Sequence, residues 1–211
     1  MSKLEINPNK EYILAGDISG SMSCFDDACG GNTRYRYMLE KFQLFIKTAE
    51  DFDEHGAPTI MLFGEKVRIF EHKKYEDIRS TIENIEFEGL TNLHLVIEEA
   101  YRLHRDDKSK LALARAFHPG THLIVFTDGE PTNRAAVERI IARIISEIDT
   151  EEEFQINFLT VGKVDNSVRN WLDGLHDKME DKKINPRDFD IIHVDKLEDV
   201  NFMGAVAANR H

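Results

Sequence analysis

The sequence predicts a doubly wound α/β fold: a mostly parallel six-stranded sheet with one antiparallel edge strand and helices on both faces. Three observations predict it. Short apolar runs alternate with stretches of helical period along the whole chain, the pattern of strands joined by helical crossovers. Residues 122–127 are nearly all apolar, as a central strand buried on both faces must be. Residues 59–63 and 67–70 are separated only by Gly64-Glu65-Lys66, too short for a crossover, so these two pair as an antiparallel hairpin.

The elements follow in order. The first strand is expected at 12–17 and a helix at 35–52, where Leu39, Phe42, Phe45, Ile46 and Ala49 share a face. After the hairpin, Ile78, Ile82 and Ile85 mark a short helix, and a turn at Gly89 leads into another carrying Leu93, Val96, Ile97 and Ala100. The charged residues 105–110 read as loop or frayed helix end, and Pro119-Gly120 as a turn whose flanking His118 and His122 lie at the surface. After the 122–127 strand come a helix with Val137, Ile140, Ile141, Ile144, Ile145 and Ile148 on one stripe and a strand at 154–161. The last unit is a helix with Val168, Trp171, Leu172 and Leu175, a strand at 190–194 and a terminal helix containing Val200, Phe202, Met203 and Val206. The charged stretch 177–187 is expected as a surface loop, so residues 1–211 are read as one domain.

Composition narrows the function. With 39 acidic residues against 27 Lys and Arg, the formal net charge is -12, and no basic cluster stands out to neutralise phosphates, so nucleic acid is not an expected partner. No apolar stretch reaches membrane-spanning length, and residues 1–11 contain no apolar leader core; no membrane contact and a cytoplasmic setting are expected. The only cysteines, Cys24 and Cys29, do not make a disulfide framework and are expected as free thiols in a mobile loop.

The chemistry is concentrated at strand ends. Asp17-Ile18-Ser19-Gly20-Ser21 begins where the first strand stops, and Thr127-Asp128-Gly129 ends the apolar strand starting at His122. In open α/β sheets, ligands bind beyond the carboxyl ends of the strands, where strand order reverses; right-handed crossovers bring these two ends together. The loop Gly89-Leu90-Thr91-Asn92 adds a hydroxyl from the same rim. Asp17, Ser19, Ser21, Thr91 and Asp128 then supply two carboxylates and three hydroxyls, hard oxygen donors suited to Mg²⁺ or Mn²⁺ rather than zinc or copper.

Asp-x-Ser-x-Ser at 17–21, the threonine of a Gly-x-Thr-Asn turn at 89–92, and Thr-Asp-Gly at 127–129 resemble the metal-ion-dependent adhesion site of the von Willebrand factor A family, whose fold is Rossmann-like. Element order resembles that family over nearly the whole chain. The resemblance implies that Ser19, Ser21 and Thr91 contact the metal, and that Asp17 and Asp128 support it through water or by holding ligands. It implies an intracellular interaction module whose metal takes an Asp or Glu from a partner protein, in a setting such as a larger assembly or an ATPase-linked system, and no enzymatic activity. Two departures stand out: Gly89-Leu90-Thr91 where Gly-Gly-Thr is common, and a long connection over 22–33 that borders the site and is expected to shape partner choice.

Plainer readings exist for each residue. Ser and Asp after a strand often cap a helix. Ser19 lacks the flanking glycines of a nucleophile elbow, the second aspartate of a haloacid-dehalogenase-like phosphatase is replaced by Ser19, and no phosphate-binding glycine and lysine run is present. A metal-dependent hydrolase or phosphatase using the same oxygens is the alternative, with Glu130 the acid nearest in sequence to Asp128. His94 follows the Thr91 turn, either on the rim or as an ordinary helix residue, and Trp171 is read as core.

Overall fold

The structure, a computed structural model, describes residues 7, 10–50, 57–179, 181 and 183–200. The expected terminal helix and the end of the helix at 35–52 fall outside these residues. Six strands form one sheet: β1 (Glu11–Asp17), β2 (Thr59–Phe63), β3 (Val67–Phe70), β4 (Thr121–Thr127), β5 (Phe154–Thr160) and β6 (Ile192–Lys196), in the order β3-β2-β1-β4-β5-β6. Every neighbouring pair is parallel except β2 and β3, the antiparallel hairpin that the three-residue gap predicts.

The strands alternate between two cores. Ile13, Ala15, Leu123 and Val125 face the side covered by α3 (Leu93–Leu113), α4 (Arg134–Glu147) and α5 (Asn166–Met179). Tyr12, Leu14, Ile124 and Phe126 face the side covered by α1 (Arg34–Glu50) and α2 (Tyr75–Glu83). Phe42 and Phe45 of α1 are fully buried, and burial of such side chains is worth roughly 1.5–3 kcal/mol each. Helix α1 comes so close to β1 at Gly16 that a Cβ there would stand 2.8 Å from Met38 Cε and 3.1 Å from Phe42 Cζ. Among the described residues, no helix is long and apolar enough to cross a membrane.

Several expectations are corrected. Residues 105–110 are not loop but the continuation of α3, whose charges lie on its solvent face; pairs such as Arg102 with Asp106 at 2.6 Å and Lys110 with Asp107 at 2.7 Å suit helical spacing. Helix α2 ends at Glu83, leaving Ile85 half-buried beyond it. The last strand lies two residues later than expected, because Ile192 registers with Ile156 while the backbone N–H of Asp190 is held outside the sheet by Glu151 at 3.2 Å. His122 is not a surface residue: it is buried in β4, with Nε2 2.7 Å from Asn157 Oδ1. The His118 side chain, only 8% exposed, packs against the His104 ring.

The largest correction concerns residues 22–33. They form two short 3-10 turns, Gly20–Ser23 and Asp27–Cys29, rather than an untethered surface loop. Met22 and Cys29 are buried in the α1-side core, and an isolated bridge joins Phe25 to Thr33. Asp26 accepts from the backbone N–H of Ala28 at 3.0 Å and of Lys163 at 2.8 Å, fastening the segment to the chain beyond β5. Both cysteines are free, as expected, but only Cys24 is exposed.

Candidate metal centre

Strands β1 and β4 are neighbours from which the chain departs to opposite sides of the sheet, and Gly16 registers with Phe126. Their carboxyl ends therefore lie side by side at the switch point, with Asp17 ending β1 and Asp128 following β4. Asp17 is fully buried. Its Oδ1 accepts from the Ser19 backbone N–H at 2.7 Å and its Oδ2 from the Thr127 hydroxyl at 2.6 Å. Burial pushes its pKa up to about 6; the bonds from Thr127 and Ser19 pull the other way, and the nearby Asp128 adds a smaller upward push.

A chain of oxygens leads from there. Ser19 Oγ lies 3.1 Å from Ser21 Oγ, and Ser21 donates to Asp128 Oδ1 at 2.8 Å. Thr91 joins across Gly129, where an added Cβ would stand 3.7 Å from both Ser21 Oγ and Thr91 Oγ1. Thr91 is fixed by Thr132: its N–H donates to Thr132 Oγ1 at 3.1 Å, and its carbonyl accepts from the Thr132 N–H at 2.9 Å. All five sequence-predicted residues thus meet on one rim. Ser19, Thr91, Asp17 and Asp128 are buried, while Ser21 is exposed.

Other residues in the surroundings had no reading in the sequence. Glu88 bridges to Ser19, and its carboxylate accepts from the backbone N–H groups of Glu65 and Lys66 and from Arg68 Nη2 at 2.8 Å, tying the β2–β3 turn to the rim. Arg34, the first residue of α1, donates from Nη1 to Asp128 Oδ2 at 2.5 Å, from Nε to Asp26 Oδ2 at 2.9 Å and from Nη2 to the Lys163 carbonyl at 3.0 Å. Burial alone would raise the pKa of Asp26; hydrogen bonds from the Lys163 and Ala28 N–H groups and from Arg34 outweigh it and hold the carboxyl below its ordinary value. An Arg at the start of a helix, with Arg36 two residues on, carries no sequence signal of such a role. The Asp26 cap was open to suspicion, since Asp beside small residues commonly forms side-chain-to-backbone turns.

Carboxylates and neutral hydroxyls on one rim fit a hard divalent cation. Among the described residues, no group of three or more His, Cys, Asp or Glu is placed to hold a metal ion, so an ion here would depend on hydroxyls as much as on carboxylates. Glu130, the acid nearest in sequence, is exposed and paired with Arg134 at 3.1 Å. His94 lies in the first turn of α3, half-buried, and Trp171 packs half-buried against the core beneath the Arg134 guanidinium.

The chain matches no family model, and no curated protein matches it in sequence. Solved structures do. The manganese-loaded TRAP protein of Plasmodium vivax superposes with a TM-score of 0.55 at 13% identity, over 96% of this chain and 73% of that one. The proximal thread matrix protein 1 of the mussel byssus gives 0.50 at 15% identity, over 94% of this chain and 46% of that one. An aerotolerance-related membrane protein of Bacteroides fragilis gives 0.49 at 18% identity, over 94% and 96% of the two chains. The sheet order, the antiparallel edge hairpin and the helices on both faces define a von Willebrand factor A-like fold.

Proposed function

We propose that this protein is a cytoplasmic interaction module that binds Mg²⁺ or Mn²⁺ through Asp17, Ser19, Ser21, Thr91 and Asp128 and takes an Asp or Glu side chain from a protein partner. The observation that carries this reading is the run of hydrogen bonds joining Ser19, Ser21 and Asp128, with Asp17 pinned behind Ser19 and Thr91 across Gly129. The manganese-loaded state of the similarly folded Plasmodium vivax TRAP protein supports the choice of ion. When bound, the ion would supply a positive centre for an incoming carboxylate; at a formal net charge of -12, an acidic group otherwise meets a repelling surface.

The chain's own residues do the rest. Ser19 and Ser21 present neutral oxygens, Asp17 is held rigid by Thr127 and the Ser19 N–H, and the Thr132 contacts fix Thr91. Beside Thr91, Leu90 is 43% exposed and offers apolar contact to a docking protein. Two free cysteines suit a reducing compartment, and an ATPase-linked or other larger assembly is the setting that the motif's resemblance suggests.

The test is capture of partners from native cell extract with Mg²⁺ and with chelator, beside assays on generic phosphate and ester substrates. Calorimetry on wild type, Ser19→Ala/Ser21→Ala and Asp128→Ala follows metal and partner affinity together. We expect both to fall in both variants and no turnover. Partner binding that survives loss of the metal would refute the carboxylate grip, and turnover would favour the hydrolase.

A further inference from the structure

The Arg34 guanidinium spends its donors on three acceptors from separate parts of the chain: Asp128 Oδ2, Asp26 Oδ2 and the Lys163 carbonyl. The side chains are 17% exposed for Arg34, 7% for Asp26 and 0% for Asp128, so this is not a solvent-screened surface pair. Asp128 is thus divided: Oδ1 faces the Ser21 hydroxyl and Oδ2 faces a permanent cation.

Taking the metal reading of the site as given, we propose that Arg34 is a built-in counter-cation, held on Asp128 by its second carboxylate partner Asp26, and that it lowers the affinity of the site for divalent ions. Asp17 and Asp128 together bring two negative charges, and Arg34 offsets one of them within hydrogen-bonding distance. Two consequences follow for a cation. It competes with the guanidinium for the Asp128 carboxylate, and it is repelled by a like charge in surroundings where water screens poorly. Asp26 makes this a property of the 22–33 segment as well. The acid that caps the Asp27–Cys29 turn also grips Nε of Arg34, so the segment and the metal rim share one charged side chain.

A purely positioning role predicts the opposite sign. If Arg34 only orients Asp128, removing it weakens the metal.

The experiment is titration calorimetry of Mg²⁺ and Mn²⁺ into wild type, Arg34→Met and Asp26→Asn/Arg34→Met, with urea unfolding in chelator as a control for the fold. Arg34→Met leaves two carboxylates without their cation; the double variant removes one of them, Asp26, and so keeps the test open if the single variant does not fold. We expect metal affinity to rise on the order of tenfold in Arg34→Met, as loss of one unit of like charge at short range implies, and to rise less in the double variant, which also loses the Asp26 carboxylate on the far side of the guanidinium. Unchanged or weaker binding in variants that fold overturns the role of Arg34 while leaving the metal site standing. Wild type and variants that all fail to bind either ion overturn the metal site itself, and this inference with it.

Discussion

Thr127 donates its hydroxyl to Asp17 Oδ2 at 2.6 Å across the seam between β1 and β4, and both side chains are buried. The bond holds a carboxylate in place whose burial already pushes its pKa up to about 6. Thr127→Val keeps the shape and removes the donor. Stranding a buried acceptor costs about 1–3 kcal/mol, so the urea midpoint measured in chelator should fall accordingly. An unmoved midpoint would mean that another group satisfies Oδ2.

The two thiols should behave as opposites. Cys29 is 1% exposed, and its thiol is pushed up to about 11 by burial, with Asp26 and Glu198 adding to the push. Cys24 is exposed. A thiol reagent near neutral pH should therefore modify one cysteine quickly and the second only on unfolding. Two equally fast thiols would show that the segment opens readily. Because Cys29 is built into the core and Asp26 ties the segment to Lys163 and Arg34, deleting residues 24–31 should destabilise the fold rather than leave it intact.

What the sequence made legible is what has a period or a fixed spacing. The edge hairpin was readable because three residues cannot cross over a sheet, and β4 because all seven of its positions are buried. The five site oxygens were readable because they lie at strand ends and one loop, where topology alone brings them together. Residues 22–33 were not, because their anchors are single buried side chains and an aspartate bonding to backbone, neither of which repeats. Arg34 was illegible for a related reason: its partner Asp128 lies 94 positions away, and no local pattern encodes that contact. The charges at 105–110 misled because hydrophilicity is shared by loops and by the outer face of a long helix.

Acid stability should depend on His122. It is buried, and burial lowers its pKa to about 4, against the raising effect of its bond to Asn157. Below pH about 6.5 the unfolded chain takes up a proton that the folded protein refuses until about pH 4, so stability present above 6.5 is lost across that window. Asp17, pushed up to about 6, titrates there with the opposite sign, since its folded form binds the proton more readily. That contribution is common to wild type and His122→Gln and cancels in their difference. The wild type should lose roughly 3 kcal/mol relative to the variant between pH 6.5 and 4. Urea unfolding across this range measures it, and a gap that does not change with pH would rule it out.

Gly129→Ala separates the fold from the site. The new methyl would stand 3.7 Å from Ser21 Oγ and from Thr91 Oγ1, ordinary contact that displaces nothing, so the melting temperature in chelator should be close to that of wild type. The same methyl takes up the space between two hydroxyls that the proposed centre needs to share. A divalent ion binding the native arrangement stabilises it by about 2.7 kcal/mol at a hundred times its dissociation constant. Wild type should therefore melt higher in millimolar Mg²⁺ than in chelator, and Gly129→Ala should lose most of that increment. If the variant kept the full increment, Thr91 and Ser21 would not be acting on one ion. If wild type gained no increment, the metal centre itself would fail.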